Sequence, residues 1–254
     1  MIRYTIVDSH LNMTKRIREA LAEFFEAVKG CGRDVAEFTA DFCAKDFEKV
    51  FAVKWYEVMA RDAGKIVGYI RCLRNPEDAT RWYICEVHVR REYRRRGIAG
   101  QMYRKIIDVL GEYEDARVVS ASVHADNVNS IKLHESLGFT DTGVACKFPG
   151  LCFEERETEY VRKIYKRLFI PDNLDYAIPK IMPLWKEYLK KHGKSVSDKA
   201  DRERLVGILE SALEEKCSFD TIWCGLEIVG FEYKDGRNKG FYMREENKEP
   251  DGKK

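Results

Sequence analysis

The chain has 254 residues, enough for one large domain or two modest ones at about 150 residues each. Its 44% hydrophobic and 12% aromatic content predicts a packed core and excludes global disorder. Lys and Arg total 45 against 43 Asp and Glu, and this net charge of +2 gives no ground for an extended nucleic-acid partner.

In chain order, residues 3–8 predict a short strand. Residues 13–29 follow as an amphipathic helix with Ile17, Leu21, Phe24 and Phe25 on one face, stopped by Gly30 and Gly32. A second amphipathic stretch runs through Val35, Phe38, Phe42, Phe47 and Val50. The period then changes to two: Trp55 to Arg61 and Ile66 to Leu73 predict a hairpin around Asp62-Ala-Gly-Lys65. Another strand covers 81–89.

Next comes a basic loop, Arg90-Arg-Glu-Tyr-Arg-Arg-Arg-Gly-Ile-Ala-Gly100, and a helix in which Ile98, Met102, Ile106, Val109 and Leu110 keep helical spacing. This order sets unpaired backbone N–H groups at a helix N-terminus, backed by the positive end of the helix dipole. Gly97 and Gly100 let a ligand approach the backbone. Arg90, Arg91, Arg94, Arg95 and Arg96 surround the same point, and a diphosphate suits it. Neither a nucleotide P-loop nor Gly-x-Gly-x-x-Gly is present. A strand at 118–124 then leads into a short helix opened by Asp126 and Asn127 and closed by Gly138. Asn127 and His134 share one face of it, about 10.5 Å apart along the axis.

Together these segments resemble the GNAT superfamily of acyl-CoA-dependent N-acyltransferases. Its Gln/Arg-x-x-Gly-x-Gly/Ala signature is matched by Arg94-Arg-Arg-Gly97-Ile-Ala99, preceded by Val89-x-x-x-Tyr93. Its second signature is matched from Asn127 through Ser130, Ile131, Leu133 and Leu137 to Phe139. The resemblance covers residues 2–168 and implies an α/β (α+β) fold: a mixed sheet flanked by helices and splayed between the strands at 81–89 and 117–124. Acetyl-CoA would enter that wedge as cosubstrate. Its pantetheine arm would pair with Val87, His88 and Val89 like an added strand, and its pyrophosphate would sit on Arg94, Arg95, Arg96, Gly97, Ile98, Ala99 and Gly100. Asn127 and Ser130 would complete the cofactor site. The implied reaction is direct attack of a neutral amine on the thioester. The family's tyrosine acid is replaced here by His134, which can also donate a proton. Glu86 is the first choice of base and His88 the second, with a relayed water as alternative. The acceptor could be a small amine, a polypeptide N-terminus or a lysine. A CoA-binding sensor or adaptor without catalysis is the first alternative reading, and an RNA- or DNA-binding protein using the arginine loop the second.

In the remaining third, residues 169–173 read as a junction and 178–191 as a helix interrupted by Pro183. A helix over 198–215 and a hairpin over 219–233 follow. Ile228-Val-Gly-Phe231 echoes Ile66-Val-Gly-Tyr69 at an offset of 162. A complete domain over 1–168, a partial repeat of it over 169–243 and a disordered tail over 244–254 are therefore expected. On that offset Arg94 maps to position 256, so the repeat would hold no cofactor loop, and its open hairpin edge would be covered either against the first domain or in a homodimer. No run of about 20 apolar residues exists, and the opening MIRYTIVDSH lacks the apolar core of a secretion signal. Eight cysteines (Cys31, Cys43, Cys72, Cys85, Cys146, Cys152, Cys217 and Cys224) form no Cys-x-x-Cys pair. Free thiols in a cytoplasmic protein, with no metal and no membrane partner, are the expectation.

Overall fold

The computed structural model describes residues 1–9, 12–41, 54–113, 115–169, 174–214, 216–225, 227–236 and 238–244. Phe42, Phe47 and Val50 of the second amphipathic stretch, and the tail beyond 244, lie outside the described residues. The chain divides into two compact units, Met1–Arg162 and Lys163–Lys254.

The first unit contains β1 (Arg3–Val7), α1 (Lys15–Lys29), α2 (Arg33–Asp41), β2 (Trp55–Asp62), β3 (Lys65–Arg74), β4 (Arg81–Val89), α3 (Ile98–Tyr113), β5 (Val118–His124), α4 (Val128–Ser136), β6 (Thr140–Asp141) and β7 (Glu157–Lys163). Its seven strands form one mixed sheet in the order β1-β2-β3-β4-β5-β7-β6. Local chemistry accounts for the first elements. Thr14 caps α1 by accepting the Ile17 N–H, and Gly30 closes it at φ +64°. Ala63 and Gly64, both at positive φ, make the tight β2–β3 turn. Helix α1 buries Leu21, Ala22, Phe24 and Phe25, with Phe25 edge-on to Tyr69 of β3 at 5.2 Å. On the other face of β3, Gly68 leaves room for α3: a Cβ there would come within 2.9 Å of Ile98.

Two irregularities of β4 position everything that follows. Cys72 pairs with Ile84 while Arg71 pairs with Glu86, so Cys85 is an extra residue, a β-bulge. The bulge turns Tyr83 onto the same face as Glu86. Strict alternation along the sequence would have set Tyr83 and Glu86 on opposite faces. The second irregularity lies on the far edge. β4 and β5 pair in parallel only from Arg81↔Val118 to Ile84↔Ala121, after which the strands part and the sheet is splayed.

The second unit runs β8 (Lys166–Phe169), α5 (Leu174–Lys191), α6 (Asp198–Leu213), β9 (Ser218–Cys224), β10 (Glu227–Asp235) and β11 (Asn238–Met243), with sheet order β11-β10-β9-β8. Pro183 does not interrupt α5, which also contains Pro179. Each proline forfeits a helical bond at a cost of about 3 kcal/mol. The helix buries Ala177, Ile178, Ile181, Leu184, Trp185, Tyr188 and Leu189, and large apolar side chains contribute about 1.5–3 kcal/mol each. The sequence pattern predicts no strand at β11, which follows β10 after Gly236 at φ +55°.

The hairpins of the two units share a register. Gly68 pairs with Ala60 and Lys65 with Asp62, and Val67 is skipped. Gly230 pairs with Ile222 and Glu227 with Cys224, and Val229 is skipped. Every one of these positions differs by 162. The next strand follows after a shorter turn: Gly68 faces Val89 and Gly230 faces Met243. The Arg90 N–H bonds the Val67 carbonyl at 2.9 Å, and the Arg244 N–H bonds the Val229 carbonyl at 3.0 Å. Counted from those pairs, the position that lies as far beyond Met243 as Arg94 lies beyond Val89 is 248, not the 256 that a constant offset gives.

Candidate active site

The parting of β4 and β5 opens a cleft of about 560 Å³, lined by Val87, His88, Val89, Tyr93, Arg94, Arg95, Gly97, Ile98, Ala99, Gly100, Tyr103, Asn127, Asn129, Ser130 and Leu133. At its mouth the loop is built from left-handed residues: Arg95 has φ +61° and Gly97 φ +72°. A non-glycine residue held there costs on the order of 1–3 kcal/mol, a strain that concentrates at ligand-binding loops. Such alternation turns successive N–H groups to one side and makes an anion-binding concavity. The helical ladder of α3 begins with the Gln101 N–H on the Gly97 carbonyl, 3.0 Å, so the N–H groups ahead of it have no acceptor within their own helix. A Cβ at Gly100 would meet only ordinary contacts, so its small size leaves space on the cleft side.

The arginines separate into different tasks. Arg94 and Arg95 line the cleft. Arg90 is buried, with Nε donating to the Ile66 carbonyl at 2.8 Å and Nη2 to Glu23 at 3.1 Å. It serves packing, not a ligand. Arg96, expected at the pyrophosphate, is not among the cleft-lining residues; its guanidinium lies 5.0 Å over the Tyr93 ring.

On the opposite wall, Asn127 Oδ1 caps α4 by accepting the Ser130 N–H at 3.1 Å, which leaves Nδ2 as its donor. His134 departs from expectation. It is 3% exposed, its Nδ1 donates to the Ser130 carbonyl at 2.8 Å, and its Nε2 accepts from the Tyr103 hydroxyl at 2.7 Å. Phe139 and Tyr160 pack on the ring. Burial lowers its pKa against the opposing effect of the Ser130 bond, so the ring is neutral and both nitrogens are engaged. The cleft wall is Tyr103, and His134 stands behind it. As a correction, His134 is not placed to protonate a group in the cleft. His134→Phe strips the buried Tyr103 hydroxyl of its acceptor and is expected to cost about 1–3 kcal/mol, read by hydrogen exchange in α3 and α4.

The inner end of the wedge carries charge on the face covered by α1. Glu86 accepts His88 Nε2–H at 3.1 Å and Lys29 Nζ at 2.5 Å. Burial alone would raise its pKa. The hydrogen bonds from His88 and Lys29 and the charges of Lys29 and Arg71 outweigh burial and hold it at about 2. Glu86 is therefore a carboxylate with little affinity for a proton. His88, which lines the cleft, keeps Nδ1 as its remaining basic nitrogen. Deeper on the same face, fully buried Glu57 accepts Tyr69 Oη at 2.6 Å and Arg71 Nε at 2.8 Å. Tyr83 packs against Phe148 and Phe153. Lys29, Glu57, Arg71, Tyr83 and Tyr103 were not among the expected site residues.

The family model described as acetyltransferase (GNAT) family matches residues 15–139. That segment belongs to the GNAT acetyltransferase family. Among solved structures, a GNAT-family protein from Desulfovibrio desulfuricans is similar at 13% identity and TM-score 0.50, over 65% of this chain and 99% of its own. A GNAT-family acetyltransferase from Staphylococcus aureus aligns at 15% identity and TM-score 0.47, over 64% of this chain and 99% of its own. At 13% identity the likeness to the Desulfovibrio desulfuricans protein is one of fold. No curated protein matches the sequence. Membership of the GNAT family makes acyl transfer from CoA the reaction class of this domain. Among the described residues, no helix is long and apolar enough to cross a membrane.

Proposed function

We propose that the GNAT domain transfers the acetyl group of acetyl-CoA to a primary amine by direct attack on the thioester. The observation that carries this reading is the coincidence of the β4–β5 parting with the left-handed loop at 95–97: one cleft offers a strand edge, then an anion-binding turn. The pantetheine arm pairs with the main chain of Val87, His88 and Val89. The pyrophosphate takes the N–H groups of 95–100 with Arg94 and Arg95, and Asn127 Nδ2 donates to the cofactor. His88, oriented by the Glu86 carboxylate, relays the first ammonium proton to solvent. The neutral nitrogen forms the C–N bond, the C–S bond breaks, and the departing thiolate takes the second nitrogen-bound proton. This balance needs no metal and no role for His134.

The test is acetyl-CoA turnover against a polyamine, a lysine peptide and a peptide with a free N-terminus, with CoA affinity measured by calorimetry. Transfer to at least one amine is the expected result. Gly97→Val, which forces a β-branched residue into left-handed backbone, is expected to weaken CoA binding by about tenfold. Tight CoA binding with no transfer to any amine would replace catalysis by sensing.

We also propose that the second unit, with the same element order and hairpin register, is a partial GNAT-like repeat without cofactor binding. Its Arg244 is followed by Glu-Glu-Asn-Lys-Glu-Pro-Asp-Gly, where the first unit has its arginine and glycine loop. Pairing of β11 edges between two cytoplasmic copies belongs to the same proposal. A sedimentation measurement giving only monomer would remove that part.

A further inference from the structure

Lys29 ends α1, where a lysine complements the negative end of the helix dipole. A side chain extended into water would meet that need. Instead the chain is drawn inward and only 33% exposed, with its ammonium 2.5 Å from Glu86 Oε1 and 5.0 Å from the centre of the Phe25 ring. Glu86 directly follows the Cys85 bulge, and β4 leaves β5 just before it, after Ile84↔Ala121. The same Oε1 also accepts from His88, which lines the cofactor cleft. A primary amine of the chain thus occupies the carboxylate just past the parting of β4 and β5, beside the cleft-lining His88.

We infer that Lys29 is an internal acceptor, and that the domain acetylates Lys29 Nζ from its own bound acetyl-CoA. This rests on the acetyl-transfer reading above. One ammonium proton leaves to solvent past Glu86 and His88. The nitrogen lone pair then forms the amide bond to the acetyl carbon, the sulfur departs with the C–S electron pair, and it takes the nitrogen's second proton to give free CoA thiol. The product amide carries no charge, so Glu86 is released from its partner and its carboxylate becomes open to the ammonium of another amine.

The full chain is incubated with acetyl-CoA at several protein concentrations and analysed by intact mass and peptide mapping, beside turnover of the three probe amines. The expected result is one acetyl group at Lys29, added about tenfold or more faster than at any other lysine. The fraction modified per unit time should not depend on protein concentration. Lys29→Arg, which keeps the charge, abolishes this modification and leaves CoA binding intact by calorimetry. Should that variant fold poorly, the wild-type map decides alone. Three results overturn the inference: turnover of a probe amine with Lys29 unmodified, equal rates at all exposed lysines, or equal labelling of Lys29 in heat-unfolded chain. A chain that binds no CoA and acetylates nothing defeats the acetyl-transfer reading itself, and Lys29 with it.

Discussion

Arg71→Ala is expected to destabilise the first unit by about 3–5 kcal/mol, the cost of leaving one half of a buried ion pair behind. Glu57 is fully buried and Arg71 nearly so. Burial already raises the Glu57 carboxyl above its ordinary value, although Arg71's charge and the bonds from Tyr69 and Arg71 pull it down. Without the guanidinium that opposing pull weakens and the pKa rises further. Between the unfolded and folded values the folded chain then binds more protons than the unfolded one. Stability must therefore fall as pH rises through that window. The deficit should be larger in neutral buffer than near about pH 5. Two units give no single two-state transition, so the measurement is hydrogen exchange of the β2 and β3 amides. Glu57→Leu with Arg71→Met should recover most of the loss, because an apolar pair leaves no stranded charge. A deficit that did not depend on pH would mean that Arg71 acts through packing alone.

His88→Ala is expected to lower kcat by about 10²–10⁴-fold, the usual contribution of a positioned base. Its effect on CoA affinity should be small, since the cofactor is proposed to meet β4 through main-chain groups there. Retention of kcat would move the proton route to water. Glu86 adds a separate signature in acid. Its pKa is depressed in the folded state, so its contribution to stability is complete above the ordinary carboxylate range and is lost as pH falls toward about 2.

Much of this site could be read from the sequence because the relevant signals are local. Gly30, Gly64 and Gly97 stand where left-handed backbone is needed, and the strand at 118–124 matches β5 residue for residue. What escaped depends on distant pairing. The GNAT resemblance allows a bulge near positions 83 and 85 of this strand, but that Cys85 is the extra residue is defined only by its register with Arg71 and Cys72 on another strand. Tyr103 sits beside the helical row of Ile98, Met102 and Ile106, and only the fold shows it to be cleft wall. The arginines read as one cluster, yet cation–π stacking and a buried carbonyl bond disperse Arg96 and Arg90. Glu57 and Arg71 did leave a trace: each lies within an otherwise apolar strand segment, Trp55 to Ala60 and Ile66 to Leu73. Charges in strands buried on both faces need partners, and such a pair could have been sought.

The parting of β4 and β5 also bears on how long the protein survives. Four residue pairs hold the two halves of the sheet together across that line, and a cofactor lying in the gap would supply the missing rungs. A ligand bound only by the folded form adds about 2.7 kcal/mol at a concentration one hundred times its Kd. Resistance to proteases would then follow the supply of acetyl-CoA, whether or not any amine is being modified.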